Sequence, residues 1–298
     1  MNRRHGSFTY RNEGSVQAFG SKENTLLVVT PGKLVEWDRT RRRVGKEVPV
    51  DMEVTDVKDF NGRWVLLSKS SVGLLSGSKV EEVTTKGPLD ASVVYRDRFL
   101  LVGDKEITVI AAMEESVEVR RTRLASDNGV CTCGVAAMNK LFLSFENGKV
   151  FVVEEPKVTE ILAGRASEMR MDEFQCLIFL KEPIVSINLL GDVLVVSLFN
   201  KKVLALSLET KEASFTELLY DIKASTTWNN LIVVCDSRNN VIFLTQGLEV
   251  TYGNCLKEEI CNILTDGPRL IIGFKVGVVK EYEGDDGAWA ELACGVPG

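Results

Sequence analysis

Short apolar runs recur along the chain, each followed by a turn of about two residues and a second apolar run. The first run of each pair falls at residues 26–30, 64–68, 99–103, 141–145, 193–198, 231–236 and 270–274, and the starts are 38, 35, 42, 52, 38 and 39 residues apart. The runs are continuous rather than alternating, as in Leu-Leu-Val-Val and Leu-Ile-Val-Val. Continuous runs suit strands buried on both faces. A period near forty residues, made of strands without helical periodicity, predicts a β-propeller with one four-stranded sheet per repeat. The expected fold is all-β, with seven blades of four antiparallel strands. A sandwich or barrel would share the hairpins but not seven repeats at one period.

Each repeat reads as strands a, b, c and d. The d strands at 79–84 and 117–121 alternate and carry charge, which discourages edge-to-edge pairing with another sheet. Turns between a and b hold Asn61-Gly62, Arg96-Asp97, Gly191-Asp192, Asn229-Asn230 and Asp266-Gly267. Asn and Gly tolerate the positive φ that tight hairpin turns require. In blade 4 the four strands are expected at 130–138, 141–145, 150–154 and 158–162, and in blade 7 at 260–265, 270–274, 278–282 and 288–294. That leaves residues 1–15 as a tail or a closing outer strand, with 7–11 as the strand, and 16–298 as one seven-bladed unit.

The strand at 33–37 ends in Trp37-Asp38, which resembles the strand-c ending of a WD repeat, and the period is similar to that family's. The resemblance implies a WD-like propeller and, with it, a role as an interaction scaffold. WD repeats usually carry a Gly-His pair per blade within a buried polar network. This chain has a single histidine, His5, ahead of the first blade, so the resemblance stops at the architecture and one dipeptide.

Two features break the regularity. From the end of strand c to the next strand a the chain takes 14 to 19 residues in five blades, but 29 from Glu155 to Ile184. The excess falls within 164–183, an insertion expected to project from blade 4 and to be dispensable for folding, since loop closure depends weakly on length. An extra strand covering the blade edge is the other reading. The second feature is Arg39, Arg41, Arg42 and Arg43, with Lys46, between strands c and d of blade 1. In a propeller the a–b and c–d turns share one face. Arg63, Arg98 and Lys140 adjoin a–b turns of blades 2, 3 and 4, so these eight residues form the expected partner-binding face. Arginine pairs bidentately with phosphate or carboxylate, so RNA or an acidic protein would suit it.

Charge sharpens that picture. Residues 1–125 hold 21 Lys and Arg against 18 Asp and Glu, and residues 126–298 hold 15 against 24, which together give the net −6 of the 298-residue chain. Thirteen arginines precede residue 126 and four follow it. Overall acidity argues against a general nucleic-acid binder. No apolar stretch approaches the roughly 20 residues that span a bilayer, and no apolar run follows the N-terminal charges as a signal peptide needs. Seven scattered cysteines suit free thiols in a reducing compartment, cytoplasmic or nuclear. Cys131 and Cys133 lie two apart in a strand, so one side of it would carry both; a metal there is conceivable, but two small core residues fit better. No phosphate-binding glycine loop, histidine-based triad or metal-ligand spacing is present. Trp37, Trp64, Trp228 and Trp289 belong to strands and are expected to pack. The reading is a non-catalytic protein-interaction scaffold within a larger complex, with no cofactor, metal or small-molecule substrate. The alternative is an RNA- or ribosome-associated subunit using the arginine-rich face.

Overall fold

The computed structural model describes residues 6–283, apart from 85–88, 97, 104–105, 113–116, 126–127, 156, 164 and 167. The described residues form seven sheets, which are the blades of a seven-bladed β-propeller. Blade 1 comprises Ala18–Lys22, Thr25–Thr30, Lys33–Asp38 and Arg43–Pro49. Blade 2 comprises Asp56–Phe60, Arg63–Leu67, Ser71–Ser76 and Lys79–Thr84. Blade 3 starts with Leu89–Tyr95, Arg98–Gly103, Glu106–Ala112 and Val117–Ala125. Blade 4 comprises Cys131–Ala137, Lys140–Phe145, Lys149–Glu154 and Gln175–Phe179. Blade 5 comprises Ile184–Leu190, Val193–Leu198, Lys202–Ser207 and Ala213–Glu217. Blade 6 comprises Ile222–Trp228, Leu231–Asp236, Asn240–Leu244 and Val250–Cys255. Blade 7 contributes Ile260–Asp266, Arg269–Phe274 and Val278–Glu283.

The a–b turns are built as their sequences require. Asn61 and Gly62 have φ of 49° and 77°, and Asn229 and Asn230 of 46° and 61°. Two successive left-handed residues match the twist of the flanking strands. The continuous apolar b strands contribute side chains alternately to the two flanking gaps between blades. The result is seven apolar cores, one per junction. Val28 and Phe19 meet Ile271 and Val279 between blades 1 and 7, for example, and Phe60 meets Phe99 between blades 2 and 3.

The place beside Val278–Glu283 is taken by the N-terminal strand. Gly6–Arg11 runs antiparallel to it, with Gly6 opposite Glu283 and Arg11 opposite Val278. The strand expected at 288–294 lies outside the described residues. Gly273, in strand b of blade 7, shows how tightly blades 1 and 7 meet: a Cβ there would overlap the buried Phe19 ring.

Blade 4 departs from the sequence reading. Residues 158–162, expected as strand d, belong to a helix, Lys157–Leu162, and the outer strand is Gln175–Phe179. The apolar positions Val158, Ile161 and Leu162 follow a spacing of three and four, which is helical and not alternating. Between helix and strand, Glu168–Arg170 crosses to blade 3 and pairs in parallel with Val117–Ala125, giving that blade a fifth strand. A 3-10 turn, Met171–Glu173, leads back to blade 4. Val158, Ile161, Met169 and Met171 are all fully buried in the core between blades 3 and 4. The segment expected to project is therefore partly core, and its apolar residues seal the outer end of one junction.

Candidate functional site

The arginine-rich turn of blade 1 divides into one buried residue and several exposed ones. Arg39 is 8% exposed. Its Nη1 donates to the Glu23 carbonyl at 3.0 Å and to Asp266 Oδ2 at 2.9 Å, and its Nη2 donates to Ser21 Oγ at 2.5 Å. Its Nε lies 3.0 Å from Glu281 Oε2. Arg269 approaches the same groups from blade 7, with Nε 3.4 Å from Glu281 Oε1 and Nη1 donating to the Glu23 carbonyl at 2.7 Å. Tyr10, from the N-terminal strand, donates to Glu281 at 3.2 Å. Trp37 packs edge-on against Tyr10 and donates to Asn12 Oδ1 at 2.9 Å. The Trp37-Asp38 dipeptide and Arg39 thus belong to the clasp that joins blade 1, blade 7 and the N-terminal strand. Arg39, expected on the partner-binding face, is instead buried and ion-paired within the protein to Asp266 and Glu281.

Burial sets the pKa values in this cluster. Burial raises Glu281, and the Arg39 and Arg269 charges only partly oppose it. Burial would also raise Asp266, but hydrogen bonds from Ser21 and Arg39 with the arginine charges hold it below its ordinary value. Burial and the Glu281 charge push Tyr10 up to about 12. Asp266 has a folded pKa below its unfolded one, so its stabilising contribution is present above the ordinary value of 3.8 and is lost as pH falls through the folded pKa. Glu281 carries the opposite sign: its contribution is full below 4.5 and is lost as pH rises through the raised folded value. Asp266→Asn is expected to flatten the acid limb of the stability profile below pH 3.8, read by urea unfolding at stepped pH. An acid limb as steep as that of the parent protein would show that Asp266 is not the linked group.

Arg39→Ala is expected to cost about 3–5 kcal/mol, because it leaves Glu281 buried beside a single remaining cation. Thermal unfolding checks this, and an unchanged transition would mean that the clasp does not depend on Arg39.

Of the other expected contact residues, Arg41 and Arg42 lie in the c–d turn of blade 1, Arg43 and Lys46 in the strand that follows it, and Arg63, Arg98 and Lys140 at the starts of b strands. Arg41 is exposed, with its Nε 3.7 Å from Asp38. The Arg42 guanidinium lies 4.0 Å above the Phe8 ring. Arg43 is exposed at the start of Arg43–Pro49, and Lys46 donates to the Gly77 carbonyl across the blade boundary. Arg63 and Arg98 open strands b of blades 2 and 3 and are half-buried. Lys140 pairs with Glu154 at 2.5 Å, and Arg96 with Glu155 at 3.0 Å. Glu155 is held below its ordinary value, first by the Thr159 hydroxyl and then by Tyr95 and Arg96. Carboxylates thus accompany the cations around this face, and Arg41, Arg42 and Arg43 form a run of three exposed arginines.

The axis of the ring is polar. Ser186, Asn188, Ser225, Asn262, Asp56, Lys58 and Asp59 line a cavity of about 500 Å³. Its groups bond largely to one another: Asn188 Nδ2 donates to Ser225 Oγ at 2.9 Å, Ser197 Oγ donates to Ser225 Oγ at 2.8 Å, and Lys58 pairs with Asp56 at 3.1 Å. Among the described residues no group of three or more His, Cys, Asp or Glu is placed to hold a metal. Cys131 and Cys133 do not share a side. A register shift between them puts Cys131 in the core of blades 3 and 4 and Cys133 against that of blades 4 and 5. Burial pushes the Cys133 thiol up, and Cys235 up to about 12.

Sequence reasoning missed the opposite face, formed by b–c turns and d–a linkers. Phe199 is 58% exposed in the b–c turn of blade 5, and Leu219 is 80% exposed in the linker to blade 6. Tyr220 and Val276 are also exposed there. The available signal was Phe199 itself, a large apolar residue inside the polar turn Asn200-Lys201-Lys202.

No protein-family model matches the chain. No curated protein matches it either. Solved structures share the fold. BamB from Moraxella catarrhalis aligns over 92% of this chain and 87% of its own, at 15% identity and a TM-score of 0.64. Virginiamycin B lyase from Staphylococcus aureus aligns over 94% of this chain and all of its own, at 10% identity and a TM-score of 0.72. A catalytically inactive form of that lyase, with quinupristin, aligns at 10% identity over 94% of this chain and all of its own, with a TM-score of 0.74. At these identities the likeness is one of fold.

Proposed function

We propose that the chain is a non-catalytic interaction scaffold, a propeller subunit of a larger protein assembly. The observation that carries this reading is four large apolar side chains left exposed in turns and linkers of one face, Phe199, Leu219 and Tyr220 around blades 5 and 6 and Val276 in blade 7. Grouped apolar exposure on a folded protein marks a surface that another molecule covers. A kinship with WD-repeat proteins forms part of the reading and rests on the period and on Trp37-Asp38. So does a reducing compartment, cytoplasm or nucleus, supported by the free thiols of the six described cysteines.

The lyase shows that this fold also carries enzymes. Its inactive form has a histidine replaced by alanine, and the single histidine here, His5, precedes the described blades. The exposure of Arg41, Arg42 and Arg43 favours one second reading, an RNA- or ribosome-associated subunit. Affinity purification from the native cell, before and after nuclease treatment, separates the two. A protein partner retained in constant ratio after nuclease is expected. Partners lost on nuclease treatment would support the RNA reading, and a protein recovered alone would overturn the scaffold.

A further inference from the structure

Resting on the scaffold reading, we infer that the b–c and d–a face of blades 4 to 7 docks an acidic linear segment of a protein partner, one that carries apolar side chains among its carboxylates. The face is held as one surface by hydrogen bonds between turns and linkers. Each b–c turn donates to the linker that enters its blade: Phe199 to Pro183, Ser237 to Asp221 and Lys275 to Glu259, at 3.0, 2.7 and 2.9 Å. Each linker that leaves donates back to the turn: Leu180 to Gly148, Leu218 to Lys201 and Leu256 to Asn239. Leu219 and Tyr220 are thereby fixed between the turn bearing Phe199 and Lys201 and the turn bearing Arg238. Phe199 and Lys275 further line a common depression of about 770 Å³ at the mouth of the channel, with Lys223 and Glu259.

Cations stand against aromatic rings across this face. Lys149 and Lys181 lie 5.4 and 5.8 Å from the Phe179 ring, and Arg238 lies 5.8 Å from that of Tyr220. The seven turns and linkers at 146–149, 180–183, 199–202, 218–221, 237–239, 256–259 and 275–277 hold seven Lys and Arg against five Asp and Glu, net +2. Residues 126–298 as a whole are net −9. The face is thus a positive island on the acidic half of the chain. Lys202 is paired with Glu182 and Lys275 with Glu259. Lys181, Lys201, Arg238 and Lys257 make no ion pair with a described residue. Unpaired cations beside exposed apolar groups complement a partner that offers carboxylates and apolar anchors together. A single-stranded nucleic acid fits less well, because Leu219 and Val276 offer no ring for a base to stack on and call for apolar anchors instead.

The test uses the full chain and two probes, a displayed library of short random peptides and oligouridine. Two variants accompany it, Phe199→Ala with Leu219→Ser, and Lys201→Glu with Arg238→Glu. Phe199, Leu219 and Arg238 are exposed and Lys201 is half-buried without an ion pair to a described residue, so thermal unfolding should stay close to that of the parent chain. Enriched peptides are expected to combine Asp or Glu with Leu, Phe or Trp. Their affinity is expected to fall at least about tenfold in each variant and to weaken as salt rises. Enriched peptides without carboxylates, or affinities unchanged in both variants, would overturn the proposal. Oligouridine binding lost in the same variants, with no peptide enriched, would assign the face to nucleic acid and overturn it also. The failure of the broader reading looks different: if both variants keep the native partner, only the docking face is wrong, whereas a parent chain without any partner ends the scaffold reading itself.

Discussion

Removal of residues 1–12 is expected to leave a chain with no cooperative unfolding transition at room temperature. The N-terminal strand supplies the outer strand of blade 7 along six paired positions. Its loss strips cover from Val279, removes Phe8 and the buried Tyr10 from the core between blades 1 and 7, and takes away the hydroxyl that donates to Glu281. The edge of Val278–Glu283 would then face solvent with its backbone groups unpaired, a template for aggregation. Native domains are stable by only about 5–15 kcal/mol, and losing a strand with one buried and one half-buried aromatic side chain consumes much of that range. Circular dichroism melts and gel filtration check the result. The missing segment added back as a peptide should restore a cooperative transition. A truncated chain that melts cooperatively near the parent temperature would show that the ring closes without this strand.

Replacing residues 157–174 by a four-residue turn is expected to be nearly as damaging. A projecting loop could be shortened at little cost, because closure entropy changes slowly with length. This segment instead buries Val158, Ile161, Met169 and Met171 completely, beside Leu124, Phe145 and Phe151. Emptying one such site costs about 2–5 kcal/mol, so removing four approaches the whole stability of an ordinary domain. Met169→Ala alone, read by denaturant midpoint, should show the lower part of that single-site range. A shortened chain with an unchanged midpoint would mean that the core between blades 3 and 4 does not need its outer seal.

The blades were legible because a propeller repeats one hydrophobic pattern seven times. The continuous b strands and the Asn-Gly and Asn-Asn turns carry local signals of burial and positive φ that need no tertiary context. What escaped was non-local. Residues 7–11 read as a tail or a closing outer strand, but nothing near them names Val278–Glu283 as the partner, since that pairing joins the two ends of the described chain. Met169 and Met171 sit in a stretch of charged residues and read as loop, although both are buried through contacts with blade 3. Arg39 looked like its exposed neighbours Arg41, Arg42 and Arg43, and only the approach of Glu281 and Asp266 from blade 7 separates it from them. Surface function was least legible, because exposure is a property of assembled turns. Phe199 and Leu219 resemble core residues until the fold leaves them in solvent.

The central claim is that this propeller acts as a scaffold through the b–c and d–a face of blades 5 to 7. Hydrogen–deuterium exchange on the complex with its native partner, compared with the free chain, tests it most directly. Protection is expected in the turns and linkers around Phe199, Leu219, Tyr220, Arg238 and Val276, with little change at Arg41, Arg42 and Arg43. Protection confined to the arginine turn and to Arg63 and Arg98, with the Phe199 face still exchanging freely, would contradict the claim.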